Sequence, residues 1–526
     1  MGKGIGNAAA IEKRKMAPLV VILTFLTSFC GFMFGYDTGY ISGALVVVGT
    51  DLGGKELTSG NKEFITSATS LGALIASVLS GTLADLFGRK WVITGANVLF
   101  IAGAIMQVCA HSLWVMIGGR FVMGWGVGIA SLVAPLYISE MAPSRMRGRL
   151  VVINVIAITG GQLIAYAIGA GLSKVDNGWR IMVGLSMIPS AVQMIMFVFM
   201  PETPRYLVSR GNITHARSVL QKIYLNASEP ELNDKVDDLV MYTRDETQEG
   251  TSWMARTFKS LKDLHCVPAN FRALVITCGL QGIQQFSGWN SLMYFSATVF
   301  ESVGFSNPTA VSIIISGTNF VFTLVAFLII DKVGRRRLLL FTLWGMALGL
   351  VLNAIAFHFL PPLDTTDSGN TPITGWAIVV IISMLIYAAF YGTGIGNVPW
   401  QQAEMFPMEV RGIGSSFATA TNWAGSLVVS ATFLTMLHNI TPTGTFAFYA
   451  GLCVVGEIFV YFLYPETAGL SIEEVQELLT GGFNVKESLQ RSKQLKVYYA
   501  EDKSDDAGFS TTVQDKPIAD NLVKRN

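Results

Sequence analysis

The chain has 526 residues, of which 51% are hydrophobic and only 14% are charged, whereas a soluble chain carries about 25% charged residues. This composition, with a mean hydropathy of +0.48, predicts a membrane protein with several spans. The 37 Lys and Arg residues are balanced by 36 Asp and Glu residues, which excludes the basic surface that nucleic-acid binding requires. The five cysteines have no CxxC spacing, and P-loop, serine nucleophile elbow and HExxH patterns are missing, so we predict neither a metal site nor an enzyme.

Twelve apolar segments follow one another along the chain, each long enough for a membrane-crossing helix, which needs about 20 apolar residues. Six lie near residues 18–48, 62–85, 91–110, 113–137, 148–172 and 180–200. A polar stretch separates them from six more, near residues 271–302, 308–331, 338–359, 375–405, 413–437 and 445–464. The sequence therefore predicts an all-α membrane protein with twelve transmembrane helices.

Basic residues concentrate in alternate loops between these segments, for example at Arg89 and Lys90 and again from Arg335 to Arg337. Because short loops rich in Lys and Arg stay in the cytoplasm, both termini and the central loop are predicted to be cytoplasmic. The predicted organisation is a tail, a six-helix bundle, a central loop, a second six-helix bundle and a tail, with bounds at residues 1–17, 18–200, 201–270, 271–464 and 465–526.

Three motifs occur twice, in the same order and after corresponding segments. The pattern DxxGR[RK] begins at Asp85 and Asp331, EMxPxxxRG begins at Glu140 and Glu404, and PET begins at Pro201 and Pro465. Unrelated basic loops would explain the charges but not three ordered motifs. We therefore infer that the two six-helix halves are a parallel duplication.

The charged members of these motifs lie at the predicted cytoplasmic ends of the helices. They are Asp85, Arg89, Glu140, Arg147, Asp331, Arg335, Glu404 and Arg411. Such groups can pair across the seam between the bundles only when that side is closed, so we predict that they are a gate that stabilises the outward-facing state. Exposed pairs contribute about 0 to 1 kcal/mol each, but several together can bias a conformational equilibrium. The alternative is that the bases only set the topology.

One acidic residue, Asp37, lies about midway through the first segment. A charge within the membrane is costly unless it is paired, and such a residue is by default a functional candidate. Its predicted partner is Arg120, in the fourth segment. We predict that Asp37 gains and loses a proton during function; the alternative is a permanent structural ion pair.

The seventh segment carries a stripe of uncharged amides, Gln281, Gln284 and Gln285, which continues to Gly288. Asn290 lies about 120° from Gln284 on a straight helix, so we predict that the helix unwinds near Gly288. Neutral amides suit a ligand with many hydroxyl groups and no charge, and transporters place binding sites at glycine-broken spans. The first and tenth segments are also rich in glycine. The alternative is that the amides only join helices.

The repeated motifs resemble signatures of the sugar porter family of the major facilitator superfamily, as do Gln284-Gln285-Phe-Ser-Gly288-Trp-Asn290 and Pro399-Trp400. The runs QQFSGWNSLMYFS and ATATNWAGS are most similar to fungal myo-inositol/proton symporters. The resemblance covers nearly the whole chain except the two tails. It implies the major facilitator fold and transport of a polyhydroxylated ring by alternating access.

By this resemblance, seven residues fall on the family's substrate-binding positions, namely Gln162, Gln284, Gln285, Asn290, Asn319, Trp400 and Asn422. The family's outer gate tyrosine falls on Tyr294, and its proton-coupling acid and arginine fall on Asp37 and Arg120. One departure is Gly392, which stands where facilitative glucose carriers of the family have a glutamate. This departure weakens an assignment as a glucose uniporter.

We therefore predict a proton-coupled symporter that takes up myo-inositol or a closely related polyol. The alternatives are a facilitative hexose uniporter, which differs only in energetic coupling, and a non-transporting sugar sensor with the same fold. No metal and no cofactor are predicted, apart from the proton as coupling ion. The expected partners are the substrate and the lipid bilayer, the expected location is the plasma membrane, and the expected functional form is a monomer.

Overall fold

The structure is a computed structural model that describes residues 11, 16–143, 146–246, 253–305, 307–360, 375–407, 409–468, 470 and 472–494. At residues 242–246, 253, 254, 256, 331, 401, 403, 472 and 473 it describes the backbone alone. Nearly all of the described chain is helical. Most of both predicted tails, residues 1–10 and 495–526, lies outside the described residues, as does the loop 361–374.

Twelve long helices, numbered here as spans 1 to 12, follow the order of the predicted segments. Their bounds are Pro18–Val47, Ser59–Phe87, Arg89–Val108, Leu113–Met141, Arg147–Leu172, Gly178–Phe199, Pro268–Ser302, Pro308–Val333, Arg335–Phe359, Gly375–Trp400, Arg411–Asn439 and Thr441–Leu463. Within the described ranges, ten helices are long and apolar enough to cross a membrane, and span 7 belongs to a bent pair that makes an eleventh. Span 11 has the length, but it carries more polar side chains on its buried face. The predicted all-α, twelve-span fold class is confirmed.

A single glycine joins two consecutive spans at the same place in each half. Spans 2 and 3 meet at Gly88, with a φ of 90°, and spans 8 and 9 meet at Gly334, with a φ of 102°. Only glycine adopts such angles without strain. The repeated DxxGR[RK] motif therefore ends one helix with its glycine and starts the next with its arginine, Arg89 or Arg335.

Two of the glycine-rich spans are interrupted. Span 7 breaks where predicted, because Gly288 has a φ of 88° between the helices that end at Phe286 and begin at Trp289. The helix of span 10 ends at Thr393, and the chain then continues through four turn residues, 394–397, into a 3-10 helix, Val398–Glu404. Backbone carbonyl groups near both breaks therefore lie outside the regular helical hydrogen-bond pattern and can accept hydrogen bonds from side chains.

Span 1 uses its glycines differently, since it remains helical from Phe29 to Val47. A Cβ atom on Gly35 would lie 1.8 Å from the carbonyl oxygen of Ile158 in span 5. Glycine here permits close packing of two helices, as small residues commonly do in membranes.

Among its described residues, the predicted central loop contains four helices, Pro204–Ser209, Ile213–Ile223, Glu229–Glu246 and Trp253–Cys266. The last of these meets span 7 at an angle of 88°. A further amphipathic helix, Ile472–Thr480, follows span 12. It is held against the second half, because Arg272 donates to the carbonyl of Thr480 (2.8 Å) and Gln476 donates to that of Met405 (2.6 Å).

Candidate substrate and gating site

The first residues of spans 3, 5, 9 and 11 are arginines, which define what we call the basic end of the molecule. A cavity of about 670 Å³ lies at this end and is lined by residues of both halves. Six predicted gate residues line it, namely Asp85, Arg89, Glu140, Arg147, Glu404 and Arg411. The predicted substrate residue Trp400 lines it as well. The cavity therefore connects the basic end with span 10.

The ion pairs of Arg89 lie within the first half. Its guanidinium is 2.9 Å from the carboxylate of Asp85 and 3.0 Å from that of Glu140, and it also donates to the carbonyl of Ala84 (3.1 Å). These contacts join spans 2, 3 and 4 rather than the two halves. The arrangement agrees with a seam that is open at the basic end, where a gate between the halves would be disengaged.

The gate residues of the second half have neighbours in both halves. Arg411 donates to the carbonyl of Phe406 at 3.4 Å, within its own half. Glu404 lies close to the start of span 5, since a Cβ on Gly148 would be 3.4 Å from its carboxylate. Arg335 is 9% exposed. The side chain of Asp331 lies outside the described part of the structure, so its role as a gate remains a prediction.

The two PET motifs cap the helices that begin with these arginines. The Glu202 carboxylate accepts hydrogen bonds from the backbone N–H groups of Arg89 (3.2 Å) and Lys90 (3.1 Å), and Glu466 accepts one from that of Arg335 (3.0 Å). A carboxylate is stabilising at a helix N-terminus. Burial raises the pKa of the Glu202 carboxyl, and the backbone hydrogen bonds oppose that shift. In the sequence these motifs indicate a repeat, but their capping role depends on tertiary contacts that the sequence does not reveal.

Contacts between the halves close the opposite end. The hydroxyl groups of Ser42 and Ser296 lie 3.2 Å apart, and Tyr166 donates to the carbonyl of Met293. The carboxylate of Glu63, in span 2, accepts hydrogen bonds from the backbone N–H and the hydroxyl of a span 11 residue, Thr435, both at 2.7 Å. The structure thus has its cavity at the basic end and a closed seam at the other.

Glu63→Ala is expected to shift the conformational equilibrium toward states that are open at the opposite end. Hydrogen bonds to a charged group contribute about 1.5 to 3 kcal/mol, which corresponds to a population shift of roughly ten- to a hundredfold. Distances between spin labels on the loops before span 2 and after span 11 would report the shift. The matched control is Glu56→Ala, because Glu56 is exposed nearby. An unchanged distance distribution in Glu63→Ala would show that this contact does not hold the end closed.

Four of the predicted substrate residues form one hydrogen-bonded cluster between spans 7 and 11. Gln285 donates to Asn422 (3.0 Å) and accepts from Asn290 (2.8 Å), across the break at Gly288. Asn422 in turn donates to Gln284 (2.7 Å). All four side chains are buried. The break at Gly288 thus brings Asn290 back to the amide stripe, from which a straight helix would separate it.

The same cluster holds the broken part of span 10. Gln284 donates to the carbonyl of Ile395 (3.0 Å). Gln281, which accepts a hydrogen bond from Asn422 (2.7 Å), donates to the side chain of Gln402 (2.8 Å). The sequence placed Gln281 on the amide stripe but not among the substrate-binding residues, and it did not indicate Gln402. In this conformation the amides therefore join helices, and a ligand would replace some of these bonds.

The remaining predicted substrate residues lie outside this cluster. Asn319 is buried in span 8, and Gln162 is buried in span 5 of the first half. The predicted outer gate residue, Tyr294, is 1% exposed and follows the break in span 7. Their roles in binding and gating remain predictions.

Asp37 and Arg120 form an ion pair that is almost completely buried, with side chains 1% and 0% exposed. Arg120 also donates to the hydroxyl of Tyr40 (3.1 Å), which donates to Gln107 (2.9 Å). The second carboxylate oxygen of Asp37 has no hydrogen-bond partner among the described residues. The structure thus contains the predicted pair of residues, whereas a role in proton coupling remains a prediction.

The fold and these buried polar groups define an integral membrane transporter, and comparison with known proteins identifies its family. The family model for "Sugar (and other) transporter" matches residues 23–479. The chain belongs to this family, whose members here are transporters rather than enzymes. Myo-inositol transporter 1 of Saccharomyces cerevisiae is 56% identical over 493 residues, which cover 93% of this chain and 84% of the relative. Myo-inositol transporter 1 of Candida albicans is also 56% identical, over 93% of this chain and 88% of the relative.

Solved structures of similar fold are sugar transporters of the major facilitator superfamily. The proton:xylose symporter XylE bound to 6-bromo-6-deoxy-D-glucose matches with a TM-score of 0.74 and 27% identity, over 88% of this chain and 99% of that chain. The inward open conformation of the xylose transporter XylE from E. coli matches with a TM-score of 0.68 and 26% identity, over 87% of this chain and 99% of that chain.

Proposed function

We propose that this transporter takes up myo-inositol or a closely related polyol together with a proton, by alternating access. The observation that carries the proposal is a cluster of neutral buried amides in a chain that also holds one fully buried carboxylate within a span. The relatives named myo-inositol transporters support the substrate, and the similar structure named a proton:xylose symporter supports the coupling.

The chemistry of the amide cluster suits an uncharged, polyhydroxylated ring. Each amide offers two N–H donors and a carbonyl acceptor, and each hydroxyl group both donates and accepts. A charged ligand would leave its charge uncompensated in this cluster, which would be costly in a buried site. Trp400 lines the cavity at the basic end and offers an aromatic face to the apolar side of a ring.

The coupling mechanism rests on the opposing effects that act on Asp37. Burial favours the neutral acid, whereas the adjacent Arg120 favours the carboxylate. A small change in the separation of the two side chains can therefore bind or release a proton. Protonation of Asp37 frees Arg120 from the ion pair and permits the substrate-loaded protein to change conformation; the proton is then released on the other side.

The positive-inside rule orients the protein. The basic end carries the arginines of both repeats and, by this rule, lies in the cytoplasm, together with the central segment and both termini. The conformation described here then faces the cytoplasm. We assign the protein to the plasma membrane as a functional monomer, with the proton as coupling ion and no other cofactor.

Gln285→Ala and Asn290→Ala are each expected to raise the apparent Michaelis constant for myo-inositol by about tenfold or less, because each removes a hydrogen bond that contributes about 0.5 to 1.5 kcal/mol. Initial uptake rates over a range of substrate concentrations would measure the change. Asn353→Ala is the matched control, because Asn353 is a buried amide that accepts from Ser383 (3.0 Å) away from the cluster. Unchanged constants in both cluster variants would argue against the amide site.

A competition experiment tests the substrate assignment. Uptake of labelled myo-inositol by cells that lack their own carrier is measured with an excess of unlabelled myo-inositol, glucose or xylose. The proposal expects uptake that myo-inositol inhibits most strongly. Stronger inhibition by glucose or xylose than by myo-inositol would indicate a hexose carrier, and the absence of uptake despite binding would indicate a sensor.

A further inference from the structure

Two buried amide oxygens flank Gly392, in the last turn of the helix of span 10. The side chain of Asn397 is 1% exposed, and its NH2 group donates to the carbonyl of Gly392. The side chain of Asn319, also 1% exposed, approaches the same glycine from span 8, and its oxygen would lie 2.7 Å from a Cβ at that position. Neither amide oxygen has a hydrogen-bond partner within the described part of the chain.

The chemistry of Gly392 fixes the orientation of the Asn397 amide. A backbone carbonyl can only accept a hydrogen bond, so the NH2 group of Asn397 must face it. The polar atom of the Asn397 side chain that remains without a partner is therefore its carbonyl oxygen, which is an acceptor. Leaving a buried acceptor without a partner costs about 1 to 3 kcal/mol, so this oxygen is expected to gain a donor in another state of the protein.

The position of Asn397 indicates that the substrate supplies the missing hydrogen-bond donor. Gln284, one of the cluster amides, binds the carbonyls of Ile395 (3.0 Å) and Gly396 (3.3 Å), immediately before Asn397. Trp400 follows three residues later and lines the cavity. Other buried asparagines with an unpartnered atom, such as Asn353, lie away from the cluster and the cavity.

We propose that Asn397 is a substrate-binding residue whose carbonyl oxygen accepts a hydroxyl hydrogen and favours cyclitols over hexopyranoses. Asn319 and Asn397 together present two acceptors, which require two donors. A cyclitol carries a hydroxyl group on every ring carbon, whereas a pyranose ring contains an oxygen that has no hydrogen to donate. This inference rests on the proposed function, because it assumes that the amide cluster binds a polyol.

The test compares the inhibition constants of myo-inositol and glucose, with labelled substrate uptake as the signal. Asn397→Ala is expected to weaken inhibition by myo-inositol three- to tenfold and inhibition by glucose less than twofold, so that selectivity decreases. Among monodeoxy-inositols, the analogue that lacks the hydroxyl bound by Asn397 is expected to inhibit the variant and the wild type equally. Asn353→Ala, the matched control, is expected to leave the selectivity unchanged.

Equal weakening for both sugars, or unchanged constants for both, would overturn the assignment and indicate that Asn397 is satisfied by water or is structural. If Asn397→Ala does not reach the membrane, Asn397→Ser, which replaces the amide with a smaller polar group, is judged by the same ratio. If the protein did not bind myo-inositol at all, the proposed function would fail and the result would be different, because the wild type itself would show no inhibition by myo-inositol.

Discussion

Asp37→Asn is expected to abolish accumulation of substrate against its gradient and to retain substrate binding and some exchange across the membrane. Asparagine has the shape of the protonated acid but cannot release a proton, so the cycle loses its coupling ion. The Arg120 guanidinium still donates a hydrogen bond to the hydroxyl of Tyr40 (3.1 Å), so Arg120 keeps one of its buried partners. Uptake and exchange of labelled myo-inositol in sealed vesicles would measure both quantities.

Asp51→Asn is the matched control for this substitution. The Asp51 carboxylate is exposed and accepts a hydrogen bond from Trp179 (2.8 Å) outside the buried pair, so accumulation should remain normal. Because breaking a buried ion pair can destabilise a protein by about 3 to 5 kcal/mol, the amount of Asp37→Asn in the membrane must be measured as well. Uphill, uncoupler-sensitive accumulation by Asp37→Asn would refute the proton role of Asp37.

Arg89→Ala is expected to reduce turnover at least tenfold while changing substrate binding less than threefold. The substitution leaves Glu140, whose side chain is 7% exposed, without its cation, and loss of one partner of a buried pair costs about 3 to 5 kcal/mol. It also removes a gate charge from the cavity at the basic end. Transport rates, corrected for surface expression, and equilibrium binding would be measured together. The comparison separates an effect on turnover from an effect on substrate binding.

The control for Arg89→Ala is Arg217→Ala, because Arg217 pairs with Glu229 at the surface, with side chains 40% and 67% exposed. Exposed pairs contribute about 0 to 1 kcal/mol, so this variant should transport normally. Normal turnover in Arg89→Ala would contradict the gating role. Lost binding with normal turnover would contradict it as well.

The sequence predicted those features that follow from local pattern or from the cost of charge in a membrane. A carboxylate within a span requires a partner, and only a few cations are within reach, so Arg120 could be named for Asp37. The break of span 7 could be placed near Gly288 because Asn290 otherwise leaves the amide stripe. Both features depend on short segments of chain and on general energetics.

Features that depend on tertiary contacts could not be predicted in this way. Gln402 joins the amide cluster only because the 3-10 helix of span 10 turns it toward Gln281, which sequence spacing does not reveal. The glycines of span 1 indicated a possible break, but close packing on span 5 explains them. The partners of Arg89 also depend on which end of the protein is closed, and a sequence does not specify one conformation of a cycle.

The most direct test of the account uses purified protein in sealed liposomes with an imposed pH gradient, acid outside. Proton-coupled uptake predicts that labelled myo-inositol accumulates inside above its external concentration, and that an uncoupler returns it to equilibrium. Uptake that only equilibrates, with no effect of either the gradient or the uncoupler, would contradict proton-coupled transport.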